Sequence, residues 1–284
     1  MTYKQLIDQY EDLCIKTNKS EFVVKYMTME LSQLEPHIFY MKLNEDVEET
    51  LLKTIKDALH KYIDDHLPVD YILGYRYFFG YKFMVNEHVL IPRNETEELV
   101  EHVLMYIDHM KKPLQLLDLG TGSGCIGLTV KKEIDDIEVT LTDISAEAIE
   151  VAKHNAKTLH VEAKFIVSNW FSKIDKQYDI IVCNPPYIPD EESIGDTVDK
   201  EPSLALYGGQ SGLTHYETVL SQASMHLNIH GLMAFEHGYN QKERIHALIK
   251  KYFKDATILT VKDLQDKERM TFFSPNNASL IKEV

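Results

Sequence analysis

The sequence predicts an α/β protein in which a doubly wound sheet follows a small all-helical domain, and three observations carry that prediction. From Leu114 onward, short apolar runs of strand length alternate with amphipathic segments of helix length, the pattern of a sheet covered by helices on both faces. The first run leads into a glycine-rich loop, Gly120-Thr121-Gly122-Ser123-Gly124. Before about residue 66, apolar residues recur at steps of three and four with no strand pattern.

In the first segment Ile7, Tyr10, Leu13 and Cys14 share a helical face, and Leu51, Ile55, Leu59 and Tyr62 share another. Glu35-Pro36 interrupts them, so the spacing predicts three or four short helices over residues 1–70. Tyr75–Phe79 and Lys82–Val85, dense in aromatics and separated at Gly80-Tyr81, read as a hairpin connector within 71–93. Asn94-Glu95-Thr96-Glu97 has the form of a capping box with Asn94 as N-cap and opens a helix towards Met110.

The second domain, 94–284, holds the alternating segments. Strands are expected at Leu114–Leu119, Ile137–Asp143, Phe165–Val167 and Asp179–Cys183, then at Leu232–Phe235, Ala256–Val261 and Met270–Phe273. Helices are expected between them at Ala146–Leu159, Tyr216–Leu227 and Gln241–Phe253.

Composition narrows the function. With 284 residues and 44% hydrophobic content the chain has ample core. A net charge of −15 argues against non-specific gripping of nucleic-acid backbones. Cys14, Cys125 and Cys183 are an odd, widely spaced set without a metal-ligand pattern and read as reduced core thiols. No metal site is expected. The start of the chain lacks a signal-peptide layout, and no apolar run approaches the ~18 residues of a membrane span. The expectation is a cytoplasmic, monomeric protein with no membrane partner.

The chemistry is concentrated where the fourth strand stops. Asn184-Pro185-Pro186-Tyr187 ends it abruptly, because proline removes the ladder donor and the residue before it is forced extended. The carboxyl edge of such a sheet is where ligands bind. An Asn carbonyl oxygen and a proline carbonyl form two neutral acceptors beside an aromatic ring, a frame suited to a planar –NH2 group; the plain alternative is a loop that only ends a strand. The glycine loop lets backbone approach a ligand, and Gly122, Gly124 and Gly127 satisfy G-x-G-x-x-G. Asp143, ending the second strand, is placed to accept ribose hydroxyls of an adenosine. Asp118, just before the glycines, suits a ligand bearing an ammonium group and would repel pyrophosphate.

Together these motifs resemble the class I S-adenosylmethionine-dependent methyltransferases. More narrowly they resemble the release factor glutamine methyltransferases, the HemK or PrmC family. The resemblance spans Tyr71-Ile72-Leu73-Gly74, Leu90-Ile91-Pro92-Arg93, Glu95-Thr96-Glu97, Asp118 to Gly124, Ser168-Asn169-Trp170-Phe171, Asn184 to Tyr187, Glu201-Pro202 with Ala205-Leu206, and Glu236-His237-Gly238. It implies a Rossmann-like class I methyltransferase sheet, mostly parallel with an antiparallel C-terminal strand, and an N-terminal domain that recognises substrate. It implies methyl transfer from S-adenosyl-L-methionine to the side-chain amide nitrogen (N5) of the glutamine in the Gly-Gly-Gln motif of class I peptide chain release factors.

By this resemblance the cofactor is held by Asp118, Gly120, Thr121, Gly122, Ser123, Gly124, Asp143, Asn169, Trp170 and Asn184. The glutamine is held by Asn184, Pro185, Pro186 and Tyr187, of which Asn184, Pro185 and Tyr187 are the catalytic set. Two positions depart from the family: Asn169 stands where an Asp is frequent and Asn94 where a proline is usual. Two other readings stand beside this one: an adenine N6-methyltransferase acting on RNA or DNA, and a glutamine methyltransferase of a large-subunit ribosomal protein. Gly208-Gly209-Gln210 repeats the substrate's tripeptide and is read as coincidence. His237 is read as structural rather than as a base, since the nitrogen becomes strongly acidic once the new bond forms. Arg93 is read as an ion-pair partner, and Trp170 as either core or adenine-stacking.

Overall fold

In the computed structural model, which describes residues 1–281, the chain divides into two units. One is Met1–Tyr75 with Ile194–Lys200; the other is Arg76–Ser193 with the chain from Glu201 onward.

The first unit is a helical bundle: α1 (Tyr3–Lys16), α2 (Phe22–Ser32), α3 (Pro36–Met41), α4 (Glu49–Ile63) and the short α5 (Val69–Leu73). The Thr2 side chain accepts from Gln5 N and the Gln5 side chain accepts from Thr2 N, a reciprocal cap that starts α1. Pro36 occupies the first turn of α3, where its missing N–H costs nothing. Leu6, Tyr10, Cys14, Met27, Phe39, Ile55 and Leu59 form the core, each fully buried aliphatic side chain being worth about 1.5–3 kcal/mol.

A hairpin follows, β1 (Tyr75–Phe78) and β2 (Tyr81–Met84), which belongs to the second unit from Arg76 onward. Its two turn residues, Phe79 and Gly80, have φ of 51° and 77°, as a two-residue turn matched to strand twist requires. Then follow α6 (Asn94–Ile107), β3 (Leu114–Leu119), α7 (Cys125–Glu133), β4 (Ile137–Asp143), α8 (Ala146–Leu159), β5 (Lys164–Val167) and β6 (Tyr178–Cys183). After a long segment come α9 (Ser203–Leu206), α10 (Thr214–His226), β7 (Leu227–Glu236), α11 (Lys242–Tyr252), β8 (Thr257–Lys262) and β9 (Glu268–Ser274).

The seven strands run in the order β5-β4-β3-β6-β7-β9-β8. β5 through β7 are parallel, and β9 is antiparallel to both neighbours. Residues alternate between two cores. Leu116, Ile180 and Val182 face α6, α7 and α8, while Leu117, Leu119, Ile181 and Cys183 face α10 and α11. The strand order reverses between β3 and β6, which opens a crevice at their carboxyl ends. Cys14, Cys125 and Cys183 are buried free thiols. Among the described residues no helix is long and apolar enough to cross a membrane.

One local expectation is corrected. Asn94 is the first helical residue of α6 rather than its cap, and the capping position, Arg93, makes no side-chain cap. Asn94 Oδ1 accepts instead from Arg76 Nη2 at 3.0 Å, and Glu97 Oε1 accepts from Phe79 N at 3.0 Å. Tertiary contacts to the hairpin have outcompeted the local cap.

Candidate active site

A cleft of about 410 Å³ lies at the carboxyl ends of β3, β4, β5 and β6, entirely within the second unit. Four strand-end loops build it. After β3, Gly120, Gly122 and Gly124 take left-handed φ of 70°, 55° and 83°, which only glycine adopts without strain. Thr121 N donates to Thr142 O at 2.9 Å, tying the loop to the end of β4.

After β4, Asp143 Oδ2 accepts from Gly122 N and Oδ1 from Ser145 N, each at 2.9 Å. One carboxylate thus braces the glycine loop and the start of α8 and still lines the cleft. Burial pushes its pKa up, against these backbone hydrogen bonds.

After β5, Ser168 Oγ donates to Trp170 O at 2.9 Å and accepts from Lys173 N at 3.1 Å, holding a turn in which Trp170 has φ 47°. The Trp170 ring lies 3.5 Å from the point where a Cβ on Gly120 would sit and 5.4 Å, ring to ring, from His215. Asn169, exposed, lines the same wall.

After β6, Asn184 and Pro186 line the cleft, Pro185 is buried beneath them, and Tyr187 packs, partly buried, against the α10–α11 core. Gln241 Nε2 donates to Tyr187 O at 3.0 Å. A Cβ on Gly208 would sit 2.5 Å from Pro186 O, and one on Gly212 would collide with Tyr187 O. Gly208 and Gly212 therefore belong to the packing of this motif, whereas a Cβ on Gly209 would collide with Thr214 Oγ1.

Above the cleft Arg93 Nη2 donates to Glu201 Oε1, and Ile91 N donates to Glu201 Oε2 at 3.0 Å, so the cation is paired with a buried carboxylate. His237 is buried behind it. Its Nδ1 donates to Gly238 O at 2.9 Å, which leaves Nε2, 2.9 Å from Thr271 Oγ1, as an acceptor. Burial pushes this imidazole down to about 4.

The methyltransferase small domain model matches residues 99–200. The release factor glutamine methyltransferase of Bacillus cereus is 38% identical over 240 residues, covering 82% of this chain and 84% of the relative. That of Streptococcus pneumoniae is 34% identical over 273 residues, 95% and 97% of the two chains. The chain belongs to the release factor glutamine methyltransferase family. Among solved structures, a methyltransferase from Pyrococcus furiosus superposes with TM-score 0.52 at 18% identity over 70% of this chain and 90% of that one; at that identity the likeness is one of fold.

For a member of this family, the cleft brings together most residues singled out from sequence: Gly120, Thr121, Gly122, Ser123, Asp143, Asn169, Trp170, Asn184 and Pro186 all line it. Pro185, Tyr187, Gly124 and Asp118 lie behind the lining. Asp118 is 1% exposed. Its Oδ2 accepts from Thr121 Oγ1 at 2.6 Å and Gly127 N at 3.0 Å, while Oδ1 is buried without a hydrogen-bond partner. Burial pushes this carboxyl up to about 6.

Sequence reasoning missed the roles of Thr96 and Glu236. Thr96 lines the cleft and donates to Glu236 Oε2 at 2.7 Å. The available signal was an acid closing the apolar run Leu232–Phe235 at a strand's carboxyl end.

Proposed function

We propose that this chain transfers a methyl group from S-adenosyl-L-methionine to the side-chain amide nitrogen of the glutamine in the Gly-Gly-Gln motif of class I peptide chain release factors. The observation that carries the reading is the placement of Asn184 on the cleft that Asp143 and the glycine loop also line.

The donor set fits the cofactor. Each Asp143 oxygen has one lone pair engaged by backbone and others to offer ribose hydroxyls. The unpartnered Asp118 Oδ1 is an acceptor left for a donor the chain does not supply. The Trp170 face offers a wall to a planar base. The volume lies within the ~300–1,000 Å³ of small-molecule sites. When bound, the cofactor supplies an electrophilic methyl group.

The protein's part is to orient an amide whose lone pair is delocalised. Asn184 Oδ1 accepts one N–H of the glutamine amide and the Pro185 carbonyl the other, which turns the nitrogen lone pair towards the methyl while Tyr187 supports the frame. Holding the reactants in such a geometry is worth up to about 7–11 kcal/mol of barrier. His237 takes no part as a base, since both ring nitrogens are engaged.

The test is to incubate the protein with labelled cofactor and, separately, folded release factor, large-subunit ribosomal protein, nucleic acid and free glutamine, then to locate the label. Label on the release factor glutamine, with free glutamine a very poor substrate, is the expected result. Label on nucleic acid or on the ribosomal protein alone would replace the proposal.

A further inference from the structure

Glu236 ends β7 beside the strand end that carries Asn184, because Cys183 pairs with Phe235 across β6 and β7. Its carboxyl is 2% exposed, and a buried carboxylate needs hydrogen bonds or a counter-charge. Thr96 Oγ1, on the first turn of α6, donates to Glu236 Oε2 at 2.7 Å. Asn184 Nδ2 lies 3.4 Å from Thr96 Oγ1 and also interacts with the Glu236 carboxyl.

Hydrogen-bond bookkeeping then gives the network a direction. A threonine hydroxyl has one proton, and an ionised carboxylate only accepts. The proton is therefore committed to Glu236, and the Thr96 oxygen is left as an acceptor. The Asn184 atom facing it must be the –NH2, so the carbonyl Oδ1 is turned away from Thr96. This matters because an Asn amide presented the other way round would offer donors to the substrate's own –NH2 and repel it.

We propose that Glu236, acting through Thr96, is a positioning residue that fixes the Asn184 amide with its carbonyl oxygen towards the substrate. The proposal deepens the functional reading above and rests on it for the identity of the substrate, though the orientation of Asn184 does not depend on that identity.

The device is pH-sensitive. The charged groups facing Glu236 are Arg269 on β9, which favours ionisation, and Glu95 on α6, which opposes it. Tyr187, Tyr216 and Cys125, each with its pKa raised by burial, are neutral neighbours, and the adjoining His237 is held neutral. Burial dominates and pushes the Glu236 carboxyl up to about 7. Once protonated, the carboxyl can donate to Thr96, whose own proton is then free to draw Asn184 Oδ1 inward.

Two measurements on the full chain test this. The first is single-turnover methyl transfer to folded release factor from pre-bound S-adenosylmethionine between pH 5.5 and 9. Thr96→Val should slow transfer by about 10- to 100-fold, the scale of a misplaced reactant, with cofactor affinity changed less than about threefold. Thr96→Ser should restore the rate, and Glu236→Gln should remove the fall in rate below neutral pH. The second measurement needs no substrate: the side-chain NH2 signals of Asn184, assigned by their loss in Asn184→Asp, should titrate near neutral pH in the wild type and cease to do so in Glu236→Gln and Thr96→Val. Wild-type transfer rates in Thr96→Val, or an acid limb and an NH2 titration that survive in Glu236→Gln, overturn the proposal. Absence of methyl transfer by the wild type with the NH2 titration intact overturns the substrate assignment and leaves the positioning role standing.

Discussion

Asn155 clamps Met84 with both ends of its amide: Oδ1 accepts from Met84 N at 2.7 Å and Nδ2 donates to Met84 O at 3.0 Å. Nδ2 also donates to Ser123 O at 2.8 Å. One fully buried side chain on α8 therefore ties the hairpin to the glycine loop. Asn155→Ala strands three backbone groups at once, and leaving buried polar groups unpaired costs about 1–3 kcal/mol each before water relieves any of them. The expected loss is about 2–4 kcal/mol in urea unfolding, with a fall in cofactor affinity because Ser123 lines the cleft. A change within about 0.5 kcal/mol, the scale of an indifferent surface site, would mean that the clamp carries no stability.

Asp143 has two duties, since it braces the Gly122 and Ser145 amides and faces the cleft. Asp143→Ala should weaken S-adenosylmethionine binding by about 1.5–3 kcal/mol, the range for hydrogen bonds to a charged group. Titration calorimetry of the two proteins without any substrate measures it. Binding of NADH in place of S-adenosylmethionine would contradict the cofactor assignment itself.

The parts of the fold that sequence revealed are those where one segment decides its own fate. β3 and β4 begin and end where their apolar runs do, because both are buried on two faces and Gly120 stops the first. β7 begins at Leu227, five residues ahead of the apolar run at Leu232–Phe235. Its register slips between the partners Tyr178 and Ile180, so Asn228–Gly231 bulges within the strand with its one large apolar side chain, Ile229, exposed, and the stretch carries no period-two signal. The site divides in the same way. The glycine loop, Asp143 and Asn184 are each legible because a strand end and a turn residue suffice to place them. The Thr96–Glu236 contact is not, since it joins residues 140 positions apart and depends on the β6–β7 adjacency and on the seating of α6.

His237 links pH to stability. Burial lowers its pKa from 6.5 to about 4, so between those values the unfolded chain binds a proton that the folded chain refuses. Its contribution is fully present above pH 6.5 and is lost as pH falls towards 4. The buried carboxyls of Asp118 and Glu236, pushed up to about 6 and about 7, act in the opposite sense across an overlapping range. The His237 contribution is therefore read as a difference. The stability gap between wild type and His237→Asn should shrink by roughly 2 kcal/mol on going from pH 8 to pH 5. A gap that stays constant across that range would show that the imidazole titrates normally.

Asn184 is the residue on which the chemical reading turns. If Oδ1 accepts one N–H of the target amide, Asn184→Ala leaves the nitrogen unoriented and should lower kcat by about 10² to 10³, the scale for losing one preorganised polar group. Cofactor affinity should change far less. Asn184→Asp separates orientation from charge. It keeps an accepting oxygen but removes the –NH2 that faces Thr96 Oγ1, and it sets a second carboxyl beside the buried Glu236. The added negative charge would stabilise a bound sulfonium before transfer and lose that stabilisation as the methyl leaves, which strengthens binding at the expense of rate. Asp should therefore bind the cofactor more tightly than wild type yet transfer more slowly, while recovering part of what Ala loses. Single-turnover rates with pre-bound cofactor distinguish these effects. An Ala variant that transfers at the wild-type rate would remove Asn184 from the mechanism.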